Sequence, residues 1–510
     1  MEHDNTQPDN TQSDMHAPVT SARIAKATGL QHEASDPKAS VWVSANAGSG
    51  KTHVLVQRII RLMLHGVPPD KILALTYTKA AAANMATRVF DTLARWVGFD
   101  DAKLQKTLQD YGLPRCDDKT LEQARKLFAH AVETPGGLKI QTIHAFCERL
   151  LHLFPFEANV AAQFEVLDTV QINALIADAQ NHVLRQALAQ QDSPLAHALH
   201  RVARLRKENS LTDLLVKGWT VLRKAHIGRS AEETLDIFSH NIAQALGIAP
   251  DAREEDVEAQ ISRHALSTKQ LQEAHAVLSR GAANEIKTAG RIQAALTARE
   301  NGQNERQAYL SIFQKSDEGF YKKVSLISKK TATDRPDLDA MLMGEVERLQ
   351  TLLDLYARVQ SLLRSRALFT LCLAIGDYYN AAKARRGALD FDDLIERTLS
   401  LLQRSDARWV LFKLDQGIDH LLVDEAQDTS PIQGEILKAL TDDFFSGESS
   451  RSARRTIFAV GDPKQSIYSF QGAAPESFSQ SAHFFETRIK ALPQDQGGVF
   501  APVTLQLSFR

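Results

Sequence analysis

The stretch Val41–Thr52, "VWVSANAGSGKT", constrains this chain more than any other. Three apolar, β-leaning residues, Val41 to Val43, run into a loop holding Gly48 and Gly50, and helical periodicity follows from His53 to about His65. A loop between strand and helix leaves backbone N–H groups unpaired at the helix N-terminus, where an anion fits. The glycines let the backbone wrap closely round a phosphate, Lys51 can reach β and γ oxygens, and Thr52 offers a hydroxyl to Mg²⁺. Ala45, Asn46, Ala47, Gly48, Ser49, Gly50, Lys51 and Thr52 make up this cradle, with Ala45 where the pattern GxxxxGK[ST] has its first glycine. The bland alternative is a chance glycine turn; a strand before and a helix after argue against it.

Further strand-like runs follow at intervals: "KILALTY" (Lys71–Tyr77), "LKIQTIH" (Leu138–His144), "HLLVDEA" (His420–Ala426), "RTIFAVGD" (Arg455–Asp462) and "PVTLQLSF" (Pro502–Phe509). An alanine-rich helix is expected from Lys79 to Val97. Strands alternating with helices imply a parallel α/β sheet. From about 150 to 386 the character changes: Leu, Ala, Gln, Arg and Glu dominate at helical spacing, with few strand candidates. The organisation expected is a polar, disordered tail at 1–20, an α/β domain in two parts at 21–149 and 387–510, and an all-helical insert domain at 150–386.

In "LLVDEAQD" the apolar run ends where Asp424 and Glu425 emerge. Asp424 can hold Mg²⁺ through water, and Glu425 can orient or deprotonate an attacking water. Two adjacent acids alone suggest a solvated loop; behind a buried strand, in a chain with Lys51 and Thr52, they favour nucleotide hydrolysis. Ligands of open α/β sheets bind at the carboxyl edge of the strands, so residues near 50 and near 424 must become neighbours. In "GDPKQSIYSFQGA" (Gly461–Ala473), Gln465 can report a γ-phosphate, and Tyr468 and Phe470 offer rings that are either core or a base-stacking platform. Gln31 can pair both edges of an adenine or lie idle on the surface. His144, in "TIHAF", is as well suited to a structural role as to a ligand. Cys147 reads as packing, and Asp390–Asp393 as a helix start whose acids favour the positive dipole end.

With 43% hydrophobic and 24% charged residues, the composition is that of a globular protein. The formal charge of −2 announces no nucleic acid, although net charge is blind to a local basic groove. Cys116, Cys147 and Cys372 form no CxxC pair, which argues against a zinc knuckle or disulfide framework. No apolar run approaches 18 residues and no signal peptide is evident, so a cytoplasmic location without membrane is expected.

Taken together and in this order, "LQHEASDP", "SANAGSGKT", "ILALTYTKAAAANMATRV", "IQTIHAFCERLL", "ALDFDDLI", "LLVDEAQDTSPIQ", "FAVGDPKQSIYSFQGA" and "LQLSFR" resemble superfamily 1 helicases of the UvrD/Rep type. "VWVSANAGSGKT", "GLKIQTIHAFCERLL" and the long insert look most like AddA, the helicase–nuclease subunit of bacterial AddAB recombination-repair complexes. The resemblance covers roughly Gln31–Arg510. It implies a RecA-like P-loop NTPase domain with its helical insert, and a fragment or truncated product without the second RecA-like domain and nuclease. It implies ATP and Mg²⁺ as cofactors, 3′→5′ translocation on single- and double-stranded DNA, and an AddB-like partner. By the same resemblance Gln31 would read adenine, Thr52 and Asp424 would hold Mg²⁺, and Glu425 would activate water. Gln465 and Arg510 would couple the γ-phosphate to domain movement, and Tyr77, Thr78, Thr142, His144, Tyr468 and Phe470 would line the DNA track. Phe470 and Gln471 stand where Trp and Arg are frequent. The rivals are a standalone UvrD-like repair helicase and a DNA- or partner-binding fragment with little ATPase activity alone.

Overall fold

The computed structural model describes residues 21–113, 116–203, 209–226, 229–315, 319–404, 409–410, 413, 417–445, 454–466, 475–493 and 498–507. The tail expected at 1–20 lies outside them. The chain divides into two compact units: Met1–Asp168 with Arg386–Arg510, and Thr169–Arg385.

The first unit is built on six parallel strands: β1 (Ser40–Ala45), β2 (Ile72–Thr76), β3 (Lys139–Thr142), β4 (His420–Val423), β5 (Thr456–Gly461) and β6 (Phe500–Leu505). Their spatial order is β6-β1-β5-β4-β2-β3. Parallel sheets covered on both faces read as continuous apolar runs, and β2, β4 and β5 are buried along their whole length. Successive side chains point to opposite faces. Val41, Val43, Ala74, Leu422, Phe458 and Val460 therefore enter one core, and Trp42, Leu73, Leu75, Leu421, Ile457 and Ala459 the other.

Helices α1 (Ser21–Ala34), α2 (Lys51–Leu64), α3 (Lys79–Val97), α4 (Asp101–Asp110) and α5 (Asp118–Glu133) serve the first core. The second is covered by α6 (Ile143–Leu153), α7 (Phe391–Gln403), α8 (Pro431–Leu440) and α9 (Pro475–Lys490). The strand expected to reach His144 stops at Thr142, because that threonine's hydroxyl accepts from Ala145 N–H and starts α6. The Asp390 carboxylate accepts from Asp393 N–H at 2.9 Å and starts α7 in a reciprocal capping box. Pro502 sits in β6, an edge strand, where a missing N–H costs no ladder bond.

One buried cation locks this unit together. Arg58 lies on α2 with no exposed surface. Its guanidinium donates to Asp36 O at 2.5 Å, Ala39 O at 2.6 Å and the Thr456 hydroxyl at 2.9 Å, so α2, the entry to β1 and the start of β5 share one node. Burial pushes its pKa down to about 9, with Asp36 opposing and Arg61 adding to the shift. The Thr456 hydroxyl, accepting from Arg58, is also hydrogen-bonded to His420 Nδ1 at 2.8 Å, which draws β4 into the same node.

Among its described residues the second unit is helical apart from a short ribbon, Gln314–Lys315 with Gly319–Phe320. Helices Thr268–Leu278, Ala283–Asn301 and Glu305–Phe313 pack against the first half of a 51-residue helix, Pro336–Arg386. Leu271, Ile292, Ile312, Leu342 and Leu349 form their core. Glu345, buried within it, accepts from the Tyr309 hydroxyl at 2.8 Å and pairs with Arg348 at 2.7 Å.

His420 makes the sheet acid-sensitive. Burial, then Arg58, pushes its pKa down to about 3, against an ordinary 6.5. The folded state thus binds fewer protons than the unfolded one, and the stability concerned is complete above pH 6.5 and lost as pH falls toward 3. Denaturant melts should show up to roughly 1.4 kcal/mol of stability lost per pH unit across that window from this group. His420→Gln should flatten that part of the slope.

Candidate active site

All six strands deliver their ends to one edge of the sheet, and that edge gathers most of the residues named from the sequence. β1 ends at Ala45, beside Leu505 at the end of β6. Asn46 and Ala47 are exposed, Gly48 turns at φ 73° and Gly50 at φ 90°, and α2 starts at Lys51 with Thr52 in its first turn. A left-handed backbone admits glycine at little cost. Gly50 has a second reason to lack a side chain: a Cβ there would lie 2.9 Å from Gln31 Nε2. That Gln31 amide, on α1, donates to Ser49 O at 3.2 Å, while the Ser49 hydroxyl donates to Asn46 O at 2.7 Å. Beside them opens a cavity of about 310 Å³, lined by Ala27, Leu30, Gln31, Ser49, Leu505 and Leu507 among others.

The acids arrive from β4. Asp424 N–H still donates to Leu75 O at 2.9 Å, which seats the residue against β2. Its carboxylate is buried and accepts from Glu425 N–H at 3.0 Å. Burial, and then the neighbouring Glu425, pushes the Asp424 pKa up to about 6, although the bond from Glu425 N–H and the charge of Lys51 pull the other way. Glu425 has a left-handed backbone, φ 49° and ψ 44°, a conformation that costs a non-glycine residue about 1–2 kcal/mol. The strain turns its side chain onto Lys51, whose ammonium lies 2.9 Å from Glu425 Oε2. Residues 374 positions apart thus share an ion pair between the phosphate-type loop and the acids. Asp428, a little further along the chain, is buried too, and its pKa is raised by that burial first.

A glycine loop at a helix start, a lysine aimed across it, and paired acids from the second strand away place the chain among P-loop proteins. A family model, the UvrD/REP helicase N-terminal domain, matches residues 28–486.

The chain belongs to the UvrD/Rep helicases. Among curated proteins it is similar to the A subunit of the ATP-dependent helicase/nuclease of Latilactobacillus sakei, 28% identical over 87% of this chain and 49% of the relative. It is similar to the proteins of that name from Levilactobacillus brevis, 29% identical over 86% and 34% of the two chains, and Enterococcus faecalis, 25% identical over 87% and 34%. The chain spans half or less of the length of these relatives.

The other residues singled out in this helicase chain divide into three groups. Gln465 stands on the turn just past β5, where its amide donates to Asp462 Oδ2. Tyr77, Thr78, Thr142 and His144 stand at the same edge but beyond β4, at the ends of β2 and β3. The Thr78 hydroxyl caps α3 by accepting from Ala81 N–H at 3.1 Å, and the Thr142 hydroxyl caps α6 at 3.1 Å. His144 is half-buried, edge-on to Phe391 at 5.8 Å, and burial lowers its pKa. Tyr468, Phe470 and Arg510 lie outside the described residues. Sequence reading assigned nothing to Gln427, which the structure puts at the centre of the acids; its position two residues after Glu425 in "DEAQD" was the only available signal.

Asp424 sets a test of opposite sign to that of His420. A carboxyl whose pKa rises on folding lends stability that is complete below its unfolded value of about 4 and lost as pH rises through 6. In chelator and without nucleotide, Asp424→Asn should remove that loss and stabilise the protein at pH 7 by up to about 3 kcal/mol. Chemical denaturation of both proteins between pH 4 and 8 measures it.

Proposed function

We propose that this chain is the ATP-hydrolysing motor part of an AddA-type DNA helicase, one that moves 3′→5′ on single- and double-stranded DNA during double-strand break repair. An AddB-like protein is its partner and the cytoplasm its compartment. The observation that carries the reading is the contact of Lys51 with Glu425 beside a glycine cradle, in a chain of the UvrD/Rep family.

The geometry supports the roles at the cradle, and the family resemblance supports those of Gln465, Arg510 and the DNA track. Adenine lies in the cavity beside Gln31, whose amide has polar atoms for a purine edge, and the phosphates follow the loop Ala45–Thr52. Without nucleotide, Lys51 is held by Glu425. An incoming phosphate offers Lys51 more negative charge than one carboxylate, so the ammonium turns to the β and γ oxygens and releases Glu425 Oε2. That oxygen is then free to accept the proton of an attacking water. The donor set also suits a divalent cation: Asp424 is a buried carboxylate whose ionised form is poorly compensated, and Thr52 has its hydroxyl at the helix start. Bound there, Mg²⁺ would neutralise charge developing on the phosphates. Gln465 and Arg510 carry the state of the γ-phosphate to a partner domain. Tyr77, Thr78, Thr142, His144, Tyr468 and Phe470 form the track for DNA.

Removing single groups separates these roles. Lys51→Met should weaken binding of a fluorescent ATP analogue by at least about tenfold, or roughly 1.4 kcal/mol, in an anisotropy titration. Glu425→Gln should bind it as well as wild type yet lose about a hundredfold or more of any DNA-stimulated phosphate release. Unchanged binding in the lysine variant would reject the cradle as the nucleotide site. Gln31→Ala should reduce affinity for ATP about tenfold, the worth of one to two hydrogen bonds, and leave that for GTP alone.

A further inference from the structure

Glu425 Oε2 has two donors: Lys51 Nζ at 2.9 Å and Gln427 Nε2 at 2.8 Å. The Gln427 amide is fully committed. Its nitrogen also donates to Asp428 Oδ2 at 3.1 Å, and its oxygen accepts from Asp462 N–H at 2.9 Å. The orientation is unambiguous, since a flipped amide would set oxygen against two carboxylates and nitrogen against an N–H. Asp462 Oδ1 accepts from Lys464 N–H at 3.1 Å, and Asp462 Oδ2 from the Gln465 amide. An unbroken path of hydrogen bonds therefore joins the cradle lysine, through β4's acids, to the turn after β5.

The path has little slack. Gln427 is 1% exposed. It lies against the bare backbone of Gly461, where an added Cβ would meet Gln427 Oε1 at 2.6 Å and Phe478 at 2.9 Å. A side chain packed on that floor cannot shift one end of its planar amide without moving the other. Buried amides linked to charged groups are also costly to leave half-paired.

We propose that Gln427 is a positioning residue that carries the partner of Glu425, lysine or none, to the Asp462–Gln465 turn. It rests on the nucleotide reading of the cradle. When phosphate draws Lys51 away, Glu425 Oε2 keeps only the amide donor and loses its offsetting cation. The carboxylate then either tightens on Gln427 or swings toward water, and the Gln427 amide transmits that change to Asp462 N–H. Gln427 touches no phosphate. Its work is to make the turn after β5 report on a lysine that follows the neighbouring strand, β1.

Hydrogen–deuterium exchange of the full chain tests this, with and without magnesium and a non-hydrolysable ATP analogue. Analogue binding to the wild type should change exchange in peptides covering residues 461–466 by a factor of about three or more, since local opening reads the hydrogen bonds of that turn. Gln427→Met, similar in length but without donor or acceptor, should bind the analogue within about twofold of wild type and show no such change. Gln427→Asn, which keeps an amide but is one methylene too short to span from Glu425 to Asp462 N–H, should behave likewise and decides the matter if the methionine variant does not fold. An undiminished response in either folded variant overturns the relay while leaving the nucleotide site standing. A wild type that does not bind the analogue overturns both.

Discussion

β5 is the strand on which the site depends. It pairs with β1 on one side and β4 on the other, with Ser44 level with Gly461 and Val423 level with Ala459. Only with β5 between them do the cradle after β1 and the acids after β4 face each other across one strand's width. A one-residue slip in either pairing would turn every side chain of the shifted strand to the opposite core. The apolar demand of two cores therefore enforces the register, and the register sets the distance from Lys51 to Glu425. Arg58 adds a second clamp from below, tying α2 to the first residue of β5.

The electrostatics of the edge are unfinished. Asp424 and Glu425 are adjacent acids, one of them buried, and within the site Lys51 is the cation that faces them. Glu425 accepts a strained backbone to make that contact. Such an arrangement is stable enough to fold around but favours any ligand that supplies both an anion for the lysine and a cation for the acids. A metal-bound polyphosphate is one chemical class that does both. Below the sheet the reverse principle holds: His420 stays neutral beside Arg58, and the Thr456 hydroxyl between them accepts from Arg58 and is hydrogen-bonded to the imidazole.

The strands were readable because burial on both faces writes unbroken apolar runs, as in "ILALT" and "TIFAV". Helix α3 was readable at both ends from its alanine-rich run, expected and found at Lys79–Val97. The α/β class followed from the alternation. What could not be read is what sequence patterns do not encode. A pattern that sends charged residues outward has no place for Arg58, which is interior, nor for the buried Gln427, whose value lies in three partners, one of them at the end of another strand. Strand order was equally hidden, because β4 and β5 wedge between segments that precede them by hundreds of residues. The cradle and acids were recognisable singly; their meeting is a property of the sheet.

The second unit leaves and rejoins the first through two short parallel strands, Glu165–Val166 against Ala388–Leu389. Glu165 N–H donates to Gly387 O and Leu167 N–H to Leu389 O, so the excursion of Thr169–Arg385 begins and ends at one stitch. This has a consequence for biosynthesis. β1, β2 and β3 leave the ribosome long before β4 and β5 exist, and the flank of β2 that will receive β4 stays an open edge while the helices are made. At about 5–20 residues per second, that interval lasts on the order of ten to forty seconds. If the helical unit folds during that wait, its own ends come together, and the entropy of closing so long a loop is met before the sheet must be completed.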